Sequence, residues 1–376
     1  MDLDKKITYV TRPIVPSIND FIPLVEELFA SGQLTNKGKN HELLEIKLKA
    51  LLKASNCLLF NNGTSALLCA LKAFDFPIGS EIITTPWTFA ATPHCISWNG
   101  FSPVFCDIEK NTFCIDSSKI ENMITKRTRA ILGVHVYGFP CNVIEIERIA
   151  KKYNLKVIYD AAHAFTTEIN GKGIGTYGDI SMFSFHATKL FNTLEGGALT
   201  YNDGSLQKKV NNLRNFGICS EESVEDVGIN GKMNELQAIV GLLNLKLIDE
   251  EKRKRKILKE FYDKSFSNVK GIRIPKMPQN TSHSYQYYTI IVEDEFPCSR
   301  DKIYDNLKNK NIFARKYFFP MCADYECYKD LPSSRPENLP VANDIKDRIL
   351  CLPFYGDLDV TTANRIIKII EKLKNE

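Results

Sequence analysis

Short apolar segments alternate with segments of helical periodicity over most of the first two thirds of the chain. Several of the intervening segments, such as "CNVIEIERIAKKYN", repeat apolar residues at helical spacing. The strand-like segments are "CLLF", "EIITT", "SPVFCDI", "AILGVHVYG" and "LKVIYDAAHAF". Strands separated by helices are typical of βαβ units, so this alternation predicts an α/β fold with a mostly parallel sheet flanked by helices.

Length and periodicity together indicate two domains. The chain has 376 residues, of which 44% are hydrophobic, and this is enough to bury a large core. A long amphipathic stretch at 234–264 predicts a helix that leads from a large domain, 1–250, into a smaller α+β domain, 251–376. In the smaller domain, residues 284–294 predict a strand and residues 336–354 predict a helix against a small sheet.

Charge and cysteine content argue against several classes of protein. The formal net charge is only +4, too small for a nucleic-acid footprint, and we interpret the basic run at 251–260 as a solvated helix face. The eleven cysteines include no C-x-x-C pair, so we expect reduced thiols and no metal site. Residues 1–10 lack the apolar segment of a signal peptide, and no segment is long enough to span a membrane. We therefore expect a cytoplasmic protein.

One segment near the middle of the chain indicates chemistry. "SFHATKLFNTLEGGALT", at 184–200, surrounds Lys189 with small polar residues and continues with Glu195 and two glycines. A lysine on a solvated helix needs no such setting, whereas a lysine that must lose its proton and attack a carbonyl does. We expect Lys189 to form a Schiff base, Ser184 to bind phosphate, and the glycines to let the backbone turn tightly beside them.

Two more candidate sites follow predicted strands. Thr64 and Ser65 begin a predicted helix, where free N–H groups and hydroxyls can hold a phosphate, although an ordinary N-cap has the same sequence. Asp160 ends an apolar strand, so its carboxylate is expected at the sheet edge where ligands gather. The alternative is an Asp that caps the following turn. His163 lies close enough in sequence to bond to the same ligand.

The fourth candidate site contains aromatic residues, and the four sites together fit one cofactor. In "PWTFAAT", Trp87 or Phe89 could stack on a flat ring, although an aromatic residue there more often belongs to the core. A phosphate cradle, a stacking ring, an aspartate and a lysine together fit pyridoxal 5'-phosphate. Its aldehyde requires a lysine, and its pyridine nitrogen requires a carboxylate to stay protonated and act as an electron sink. A charge-assisted bond worth about 1.5 to 3 kcal/mol favours the protonated ring.

Seven segments in this order resemble the DegT-type nucleotide-sugar aminotransferases, which are fold-type I enzymes dependent on pyridoxal phosphate. They extend over nearly the whole chain and read "FNNGTSAL", "PWTFAATPH", "VHVYG", "YDAAHAF", "SFHATK", "EGGAL" and "GINGKMNELQA". The resemblance implies that Lys189 forms the internal aldimine and that Asp160 pairs with the pyridine nitrogen. It implies that Phe89 stacks on the ring and that His163, where many relatives have Gln, bonds to the ring oxygen. The implied phosphate-binding residues are Thr64, Ser65 and Ser184.

The resemblance also implies a substrate and an assembly. Within the family, the chain looks closest to the viosamine-forming enzymes, which aminate C4 of dTDP-4-keto-6-deoxy-D-glucose with L-glutamate as amino donor and serve O-antigen or related glycan synthesis. An obligate homodimer with shared active sites is implied, in which Asn230 reaches the partner subunit's cofactor phosphate and Lys232 meets the sugar nucleotide's diphosphate. We also expect His186 and Thr35 to contact the substrate.

The segment "GINGKMNELQA" also carries a local prediction. Gly228, Asn230 and Gly231 predict a turn before the helix that starts at Asn234. Asn142 stands where relatives often have Asp, and we expect its role to be structural.

Three alternatives remain open from the sequence. Amination could take place at C3 of a dTDP-3-keto-6-deoxyhexose, or on another nucleotide-linked keto sugar, because pocket shape decides the carbon. Some relatives are dehydratases in which a His replaces the reactive lysine, and Lys189 argues against that activity. The chain could also be a non-catalytic sugar-nucleotide binder, which the presence of both Asp160 and Lys189 disfavours.

Overall fold

The structure is a computed structural model that describes residues 7–374. Residues 1–6, part of the stretch that lacks signal-peptide features, and residues 375–376 lie outside the described residues. The strands are, in chain order, β1 (Thr8–Tyr9), β2 (Asn56–Phe60), β3 (Glu81–Thr84), β4 (Ser102–Phe105), β5 (Thr128–Val134), β6 (Lys156–Asp160), β7 (Glu168–Ile169), β8 (Lys172–Gly173), β9 (Ile180–Ser184), β10 (Gly197–Tyr201), β11 (Ile218–Ser220), β12 (Ser223–Val224), β13 (Ile272–Arg273), β14 (Tyr288–Val292), β15 (Ile312–Phe313) and β16 (Ile349–Leu352).

A seven-stranded sheet in the order β2-β10-β9-β6-β5-β3-β4 forms the centre of the fold. Strand β10 runs antiparallel to both of its neighbours, and the other strand pairs in the sheet are parallel. The α/β fold with a mostly parallel mixed sheet is therefore confirmed. Six strands end at the same edge of this sheet, which is where ligands bind in open α/β sheets.

Helices connect and flank these strands. They are α1 (Ile18–Ser31), α2 (Lys39–Leu51), α3 (Gly63–Lys72), α4 (Ala91–Trp98), α5 (Ser117–Ile120), α6 (Val143–Tyr153), α7 (Leu206–Leu213), α8 (Glu235–Leu245), α9 (Ile248–Phe266), α10 (Arg300–Lys308), α11 (Pro340–Lys346) and α12 (Val360–Leu373). Asn142 caps α6 by accepting a hydrogen bond from the N–H of Glu145 at 3.2 Å, which is a structural role.

The N-cap of α3 differs from the sequence prediction. Asn62, rather than Thr64 or Ser65, caps this helix, and its Oδ1 accepts a hydrogen bond from the N–H of Ser65 at 2.8 Å. The cap therefore lies one residue before the helix, and both hydroxyl residues lie within its first turn. The side chains of Thr64 and Ser65 are consequently not needed to cap the start of the helix.

The single long helix predicted at 234–264 is two helices. A capping box between Asn234 and Gln237 starts α8, and Lys246 and Leu247 separate α8 from α9. The two helices contribute to different cores: α8 packs against α1 and α2, whereas buried residues of α9 join α12 and the small sheet. The break lets one amphipathic stretch serve both cores.

The C-terminal part of the chain has a three-stranded sheet in the order β13-β14-β16. Strand β14 lies within the predicted strand at 284–294, but the helix predicted at 336–354 is limited to α11 and is followed by β16, whose four residues are buried. The proposed boundary between residues 250 and 251 falls inside α9 and stays a prediction. Strand β1 pairs with β15, which links the start of the described chain to its C-terminal part.

Residues 7–374 contain neither a membrane-spanning helix nor a metal-binding cluster. Over that range no helix is long and apolar enough to cross a membrane. The same residues include no group of three or more His, Cys, Asp or Glu side chains arranged to hold a metal ion. None of the eleven cysteines forms a disulfide.

Candidate active site

A cavity of about 580 Å³ opens at the carboxyl edge of the large sheet. Because parallel strands end together at this edge, loops from distant parts of the sequence meet there. The structure brings eight of the sequence-predicted residues into its wall, namely Thr64, Ser65, Phe89, Asp160, His163, Ser184, His186 and Lys189. Asn230, Lys232 and Thr35 do not line it.

The N-terminus of α3 forms one part of the cavity wall. Gly63, Thr64 and Ser65 all face the cavity, and Ser184 at the end of β9 lies beside them. The first N–H groups of a helix have no partner within the helix, and the helix dipole is positive at that end. This arrangement of N–H groups and hydroxyls suits a phosphate group.

Two glycines let the helix end approach the sheet. A Cβ atom on Gly197 would lie 2.7 Å from the backbone nitrogen of Gly63 and from the carbonyl group of Asn62. A Cβ on Gly63 would itself lie 3.0 Å from the Cβ of Ser184. Gly197 is thus required because the backbone of β10 passes close to the start of α3. The same close packing brings Ser184 next to the N-terminus of α3.

Asp160 is a buried carboxylate at the end of β6. Its Oδ2 accepts a hydrogen bond from the hydroxyl of Thr92 at 2.8 Å, and its Oδ1 accepts one from the N–H of Ala162 at 3.0 Å. Burial raises the pKa of Asp160, while these two hydrogen bonds and the charge of Lys189 oppose the rise. Among the described residues Asp160 has no ion pair, so the carboxylate can pair with a cationic group of a ligand.

Thr92 was not identified from the sequence. Its side chain is fully buried. Because its hydroxyl donates a hydrogen bond to Asp160, its oxygen accepts a hydrogen bond from the hydroxyl of Thr88 at 2.8 Å. The two threonines form a short chain that fixes the orientation of the carboxylate. The quoted segment "PWTFAAT" contains both residues, but no local pattern indicates which of its hydroxyls faces β6.

Lys189 lies in the loop between β9 and β10 and lines the cavity. Gln286, which is 1% exposed, holds the backbone on both sides of it: its Oε1 accepts the N–H of Leu190 at 2.7 Å, and its Nε2 donates to the carbonyl of Thr188 at 3.1 Å. Burial lowers the pKa of Lys189 to about 8, against the opposing charge of Asp160. About a tenth of this amine is therefore neutral at pH 7.

His163 presents a neutral ring with one defined donor. Its Nδ1 accepts the N–H of Tyr137 at 3.2 Å, so the proton resides on Nε2. Burial and then the charge of Lys189 hold the pKa of His163 well below its usual range. Phe318 stacks parallel to the ring at 6.1 Å between centroids, and Tyr287 contacts it edge-on at 5.1 Å. The imidazole is consequently fixed in place as a hydrogen-bond donor.

The aromatic residues of the site divide into core and cavity. Trp87 is fully buried and donates its indole N–H to the hydroxyl of Tyr137 at 3.0 Å, so it belongs to the core. Phe89 lines the cavity and is 64% exposed, which leaves a ring face for a ligand. Three further aromatic residues in the wall were missed because they come from the C-terminal part of the chain, namely Tyr287, Tyr317 and Phe318.

His186 and Glu195 form a polar pair on the wall. The Nδ1 of His186 accepts the N–H of Thr188 at 3.2 Å, so its Nε2 carries the proton, and Nε2 lies 3.5 Å from Oε1 of Glu195. Both side chains are about half exposed. The pair can offer hydrogen bonds to a polar ligand in the cavity, and the substrate contact of His186 stays a prediction.

The segment around Asn230 is extended and forms no turn. Its backbone pairs with the end of α7, with the N–H of Gly231 donating to the carbonyl of Arg214 at 2.8 Å. A Cβ on Gly228 would lie 2.4 Å from the backbone nitrogen of Gly217, so this glycine allows close backbone approach. Asn230 itself is exposed, and its carbonyl accepts the side-chain N–H of Asn61 at 3.1 Å.

Lys232 and Thr35 lie elsewhere on the chain. Lys232 lines a second cavity of about 490 Å³. Thr35 is exposed and directly precedes Asn36, which belongs to the wall of that same cavity. Of the sequence-predicted residues, eight therefore line the first cavity and Lys232 lines the second, whereas Asn230 and Thr35 line neither.

The fold and the first cavity define an aminotransferase. The sequence profile of the DegT/DnrJ/EryC1/StrS aminotransferase family matches residues 17–371, and the chain belongs to this family. A dTDP-4-amino-4,6-dideoxy-D-glucose transaminase of Escherichia coli is 43% identical over 371 residues, which cover 98% of this chain and 99% of that protein. A transaminase of the same name from Shigella dysenteriae is 41% identical over 370 residues, covering 98% of this chain and all of that protein.

Solved structures agree with the family assignment. PseC of Helicobacter pylori, an aminotransferase involved in the biosynthesis of pseudoaminic acid, superimposes with a TM-score of 0.91 at 30% identity and covers 98% of this chain and 100% of that one. DesI, crystallised in the presence of its TDP-sugar product, gives a TM-score of 0.91 at 28% identity, over 99% of this chain and 93% of that one.

The cofactor of this family is pyridoxal 5'-phosphate, and the first cavity fits it. The helix N-terminus of α3 suits its phosphate, and the exposed face of Phe89 suits its ring. The buried carboxylate of Asp160, which has no cationic partner among the described residues, suits a protonated pyridine nitrogen. Lys189 supplies the amine of low pKa that the aldehyde requires.

Proposed function

We propose that the protein transfers an amino group from L-glutamate to C4 of dTDP-4-keto-6-deoxy-D-glucose and so forms dTDP-4-amino-4,6-dideoxy-D-glucose. The observation that carries this proposal is the full-length similarity, at 43% identity, to the E. coli transaminase named for that product. The intact pair of Lys189 and Asp160 in one cavity supports catalysis over mere binding.

The residues of the cavity have separate tasks in this reaction. Pyridoxal phosphate, when bound, supplies the carbonyl that accepts the amine and the ring that takes up electrons from the substrate carbon. Lys189 would hold the cofactor between turnovers, and its free amine would carry a proton to and from the substrate carbon during the reaction. Asp160, which is held by Thr92 and Ala162, would keep the ring nitrogen protonated. His163, whose Nδ1 accepts the N–H of Tyr137, would donate from Nε2 to the oxygen on the ring.

We propose further that the protein is a homodimer with composite active sites. Outward-facing apolar residues of α1 and α2 support this, since Ile18 and Phe29 are more than 60% exposed and Ile46 is 65% exposed. In the dimer Asn230 would bond to the partner's cofactor phosphate and Thr35 would contact the substrate. Eleven cysteines without a disulfide support a reducing, cytoplasmic location, where the product would enter O-antigen or related glycan synthesis.

The proposed reaction is tested with the purified holoenzyme. Incubation with L-glutamate and dTDP-4-keto-6-deoxy-D-glucose is expected to give one new amine, which NMR places on C4, together with an equal amount of 2-oxoglutarate. Lys189→Ala is the matched control, and it is expected to show no turnover while keeping its fold and noncovalent cofactor. A product aminated at C3, or a holoenzyme that reacts with glutamate yet leaves the 4-keto sugar unchanged, would refute the proposed substrate.

A further inference from the structure

Arg255 of α9 carries a buried charge outside the catalytic cavity. It is 1% exposed and does not line that cavity. Its Nε donates to Oε1 of Glu251, one helical turn earlier, at 2.6 Å, and its Nη1 donates to the carbonyl of Tyr285 at 3.0 Å. Replacing a buried ion pair with well-packed apolar residues is often neutral or stabilising, so stability alone does not explain this pair. Its second bond, to Tyr285, indicates another role.

The ion pair is fixed from two directions. Oε1 of Glu251 also accepts the N–H of Gly356 at 2.9 Å, and a Cβ on Gly356 would overlap the carboxylate, so this glycine allows the close approach. The guanidinium of Arg255 lies 6.0 Å from the ring centre of Phe354. Arg255 is therefore held by α9 and by the loop after β16, and none of these contacts involves the cavity wall.

Tyr285 has a strained backbone. Its φ of 55° lies in the left-handed region, which residues with a Cβ seldom adopt. Its N–H donates to Nδ1 of His283 at 2.7 Å, and its carbonyl accepts the bond from Arg255. Such conformations persist only where the surrounding structure enforces them, and they cluster at functional sites. The direction in which the chain continues after Tyr285 thus depends on Arg255.

The segment 284–286 contacts the catalytic site at two points. Ser284 is fully buried and donates its hydroxyl to the carbonyl of His163 at 2.8 Å. Gln286 makes the two hydrogen bonds that hold the backbone on both sides of Lys189. The strained residue held by Arg255 lies between these two contacts. One buried cation consequently fixes the segment that holds both the histidine and the lysine loop.

We propose that Arg255 is a positioning residue for transamination, which acts through Tyr285 and Gln286 to hold the backbone of Lys189 in place. The inference rests on the proposed function, because the placement of Lys189 matters only if its amine is the reactive group. A displacement of about 1 Å can cost about a hundredfold in rate. Loss of Arg255 is therefore expected to slow the reaction with glutamate more than it weakens glutamate binding.

Arg255→Met and Gln286→Met test the two ends of this chain of contacts. Both substitutions approximate the length of the side chain and remove its hydrogen bonds. The glutamate-dependent loss of visible absorbance of the holoenzyme is expected to slow roughly tenfold or more at saturating glutamate, while the half-saturating concentration stays within about twofold. The double variant is expected to be no slower than the slower single variant, because residues that act through one another are not additive.

Arg300→Met is the matched control. Arg300 is also 1% exposed, and it has the same kinds of partner: its Nε donates to Asp301 at 2.6 Å and its Nη1 to the carbonyl of Ile349 at 2.8 Å. Neither partner belongs to the segment 284–286. This variant also loses a buried ion pair, but its rate with saturating glutamate is expected to stay within about twofold of wild type.

Amide hydrogen exchange of the apoprotein gives a readout that needs neither cofactor nor turnover. Gln286 accepts the N–H of Leu190, so peptides that span 188–190 are expected to exchange faster in Arg255→Met and in Gln286→Met, but not in Arg300→Met. If Arg255→Met does not fold, the same measurements are made on Arg255→Met combined with Glu251→Gln, which leaves no unpaired buried charge.

Three results would overturn the inference: wild-type rate and exchange in either methionine variant, additive effects in the double variant, or equal slowing in Arg300→Met. The proposed function is tested separately, since none of these measurements contains a sugar nucleotide. A wild-type holoenzyme that reacts with glutamate but not with the 4-keto sugar would refute the proposed substrate alone. Reaction of Lys189→Ala with glutamate at the wild-type rate would refute the reactive amine.

Discussion

The proton on Lys189 decides the pH at which the apoprotein captures its cofactor. Only the neutral amine attacks the aldehyde, and a pKa of about 8 leaves about a tenth of it neutral at pH 7. The rate of covalent capture, followed by visible absorbance after pyridoxal phosphate is added to apoprotein, is expected to rise with pH and to level off above a midpoint near pH 8. A midpoint near that of a free lysine, above pH 10, would show that burial does not lower this pKa.

Asp160 is expected to matter through its charge rather than its shape. Asp160→Asn can still accept the hydrogen bond that Thr92 donates, but it loses the one from the N–H of Ala162, because its amide has a single accepting oxygen, and it removes the ionic partner of the ring nitrogen. A charge-assisted hydrogen bond is worth about 1.5 to 3 kcal/mol, so both half-reactions are expected to slow by about tenfold to 150-fold, with a smaller loss of cofactor affinity. Single-turnover rates with glutamate measure the effect. A variant with most of the wild-type rate would assign the role to another carboxylate.

At the residue scale, the sequence predicted side chains whose chemistry is visible in their type. Lys189 and Asp160 stand out because a reactive lysine and a strand-end carboxylate have recognisable settings. Thr92 and Gln286 do not, because their functions depend on which buried groups they meet: a carboxylate 68 positions later in the chain for Thr92, and the backbone around Lys189 for Gln286. Such contacts arise only from tertiary packing.

The junction of α3 with β10 is the element on which the phosphate cradle depends. Gly197→Ala would place a methyl group 2.7 Å from the backbone of Asn62 and Gly63, so the helix end must move. We expect a loss of about 1 to 3 kcal/mol in the free energy of unfolding and weaker cofactor binding. Chemical denaturation and cofactor titration measure both quantities.

Gly204→Ala is the control for this substitution. Nothing lies within 4 Å of the Cβ that it would add, and its φ is not in the left-handed region. Its stability is expected to remain within about 0.5 kcal/mol of wild type. Equal behaviour of the two alanine variants would mean that the close approach of α3 to β10 is not required.

Helix boundaries show what local patterns do not determine. The periodicity of 234–264 continues through Lys246 and Leu247, where the structure changes from α8 to α9. Both halves have an apolar face at helical spacing, so the local pattern continues across the junction. The break arises because the two helices pack against different parts of the protein. The N-cap at Asn62 was missed for a similar reason, because Asn, Thr and Ser in succession all suit that position.

At the scale of the whole molecule, the position of Asn230 bears on the proposed homodimer. Asn230 is exposed and lies outside the catalytic cavity of its own subunit, on an extended segment held by Arg214 and Asn61. If the proposed homodimer forms, this amide reaches the phosphate of the partner's cofactor. Asn230→Asp would then weaken cofactor binding, because the new carboxylate would repel the phosphate.

Mixed dimers test this arrangement. We consider dimers of one Lys189→Ala subunit and one Asn230→Asp subunit, coexpressed with different affinity tags and purified in sequence. If Asn230 acts across the interface, the Asn230→Asp subunit keeps its own Lys189 and receives an intact Asn230 from its partner, so one site of the two is wild type. Activity is expected to return to about half of the wild-type value per dimer, well above either parent homodimer. If Asn230 serves its own subunit, each site carries one lesion, and the mixed dimer will be no more active than the average of its parents.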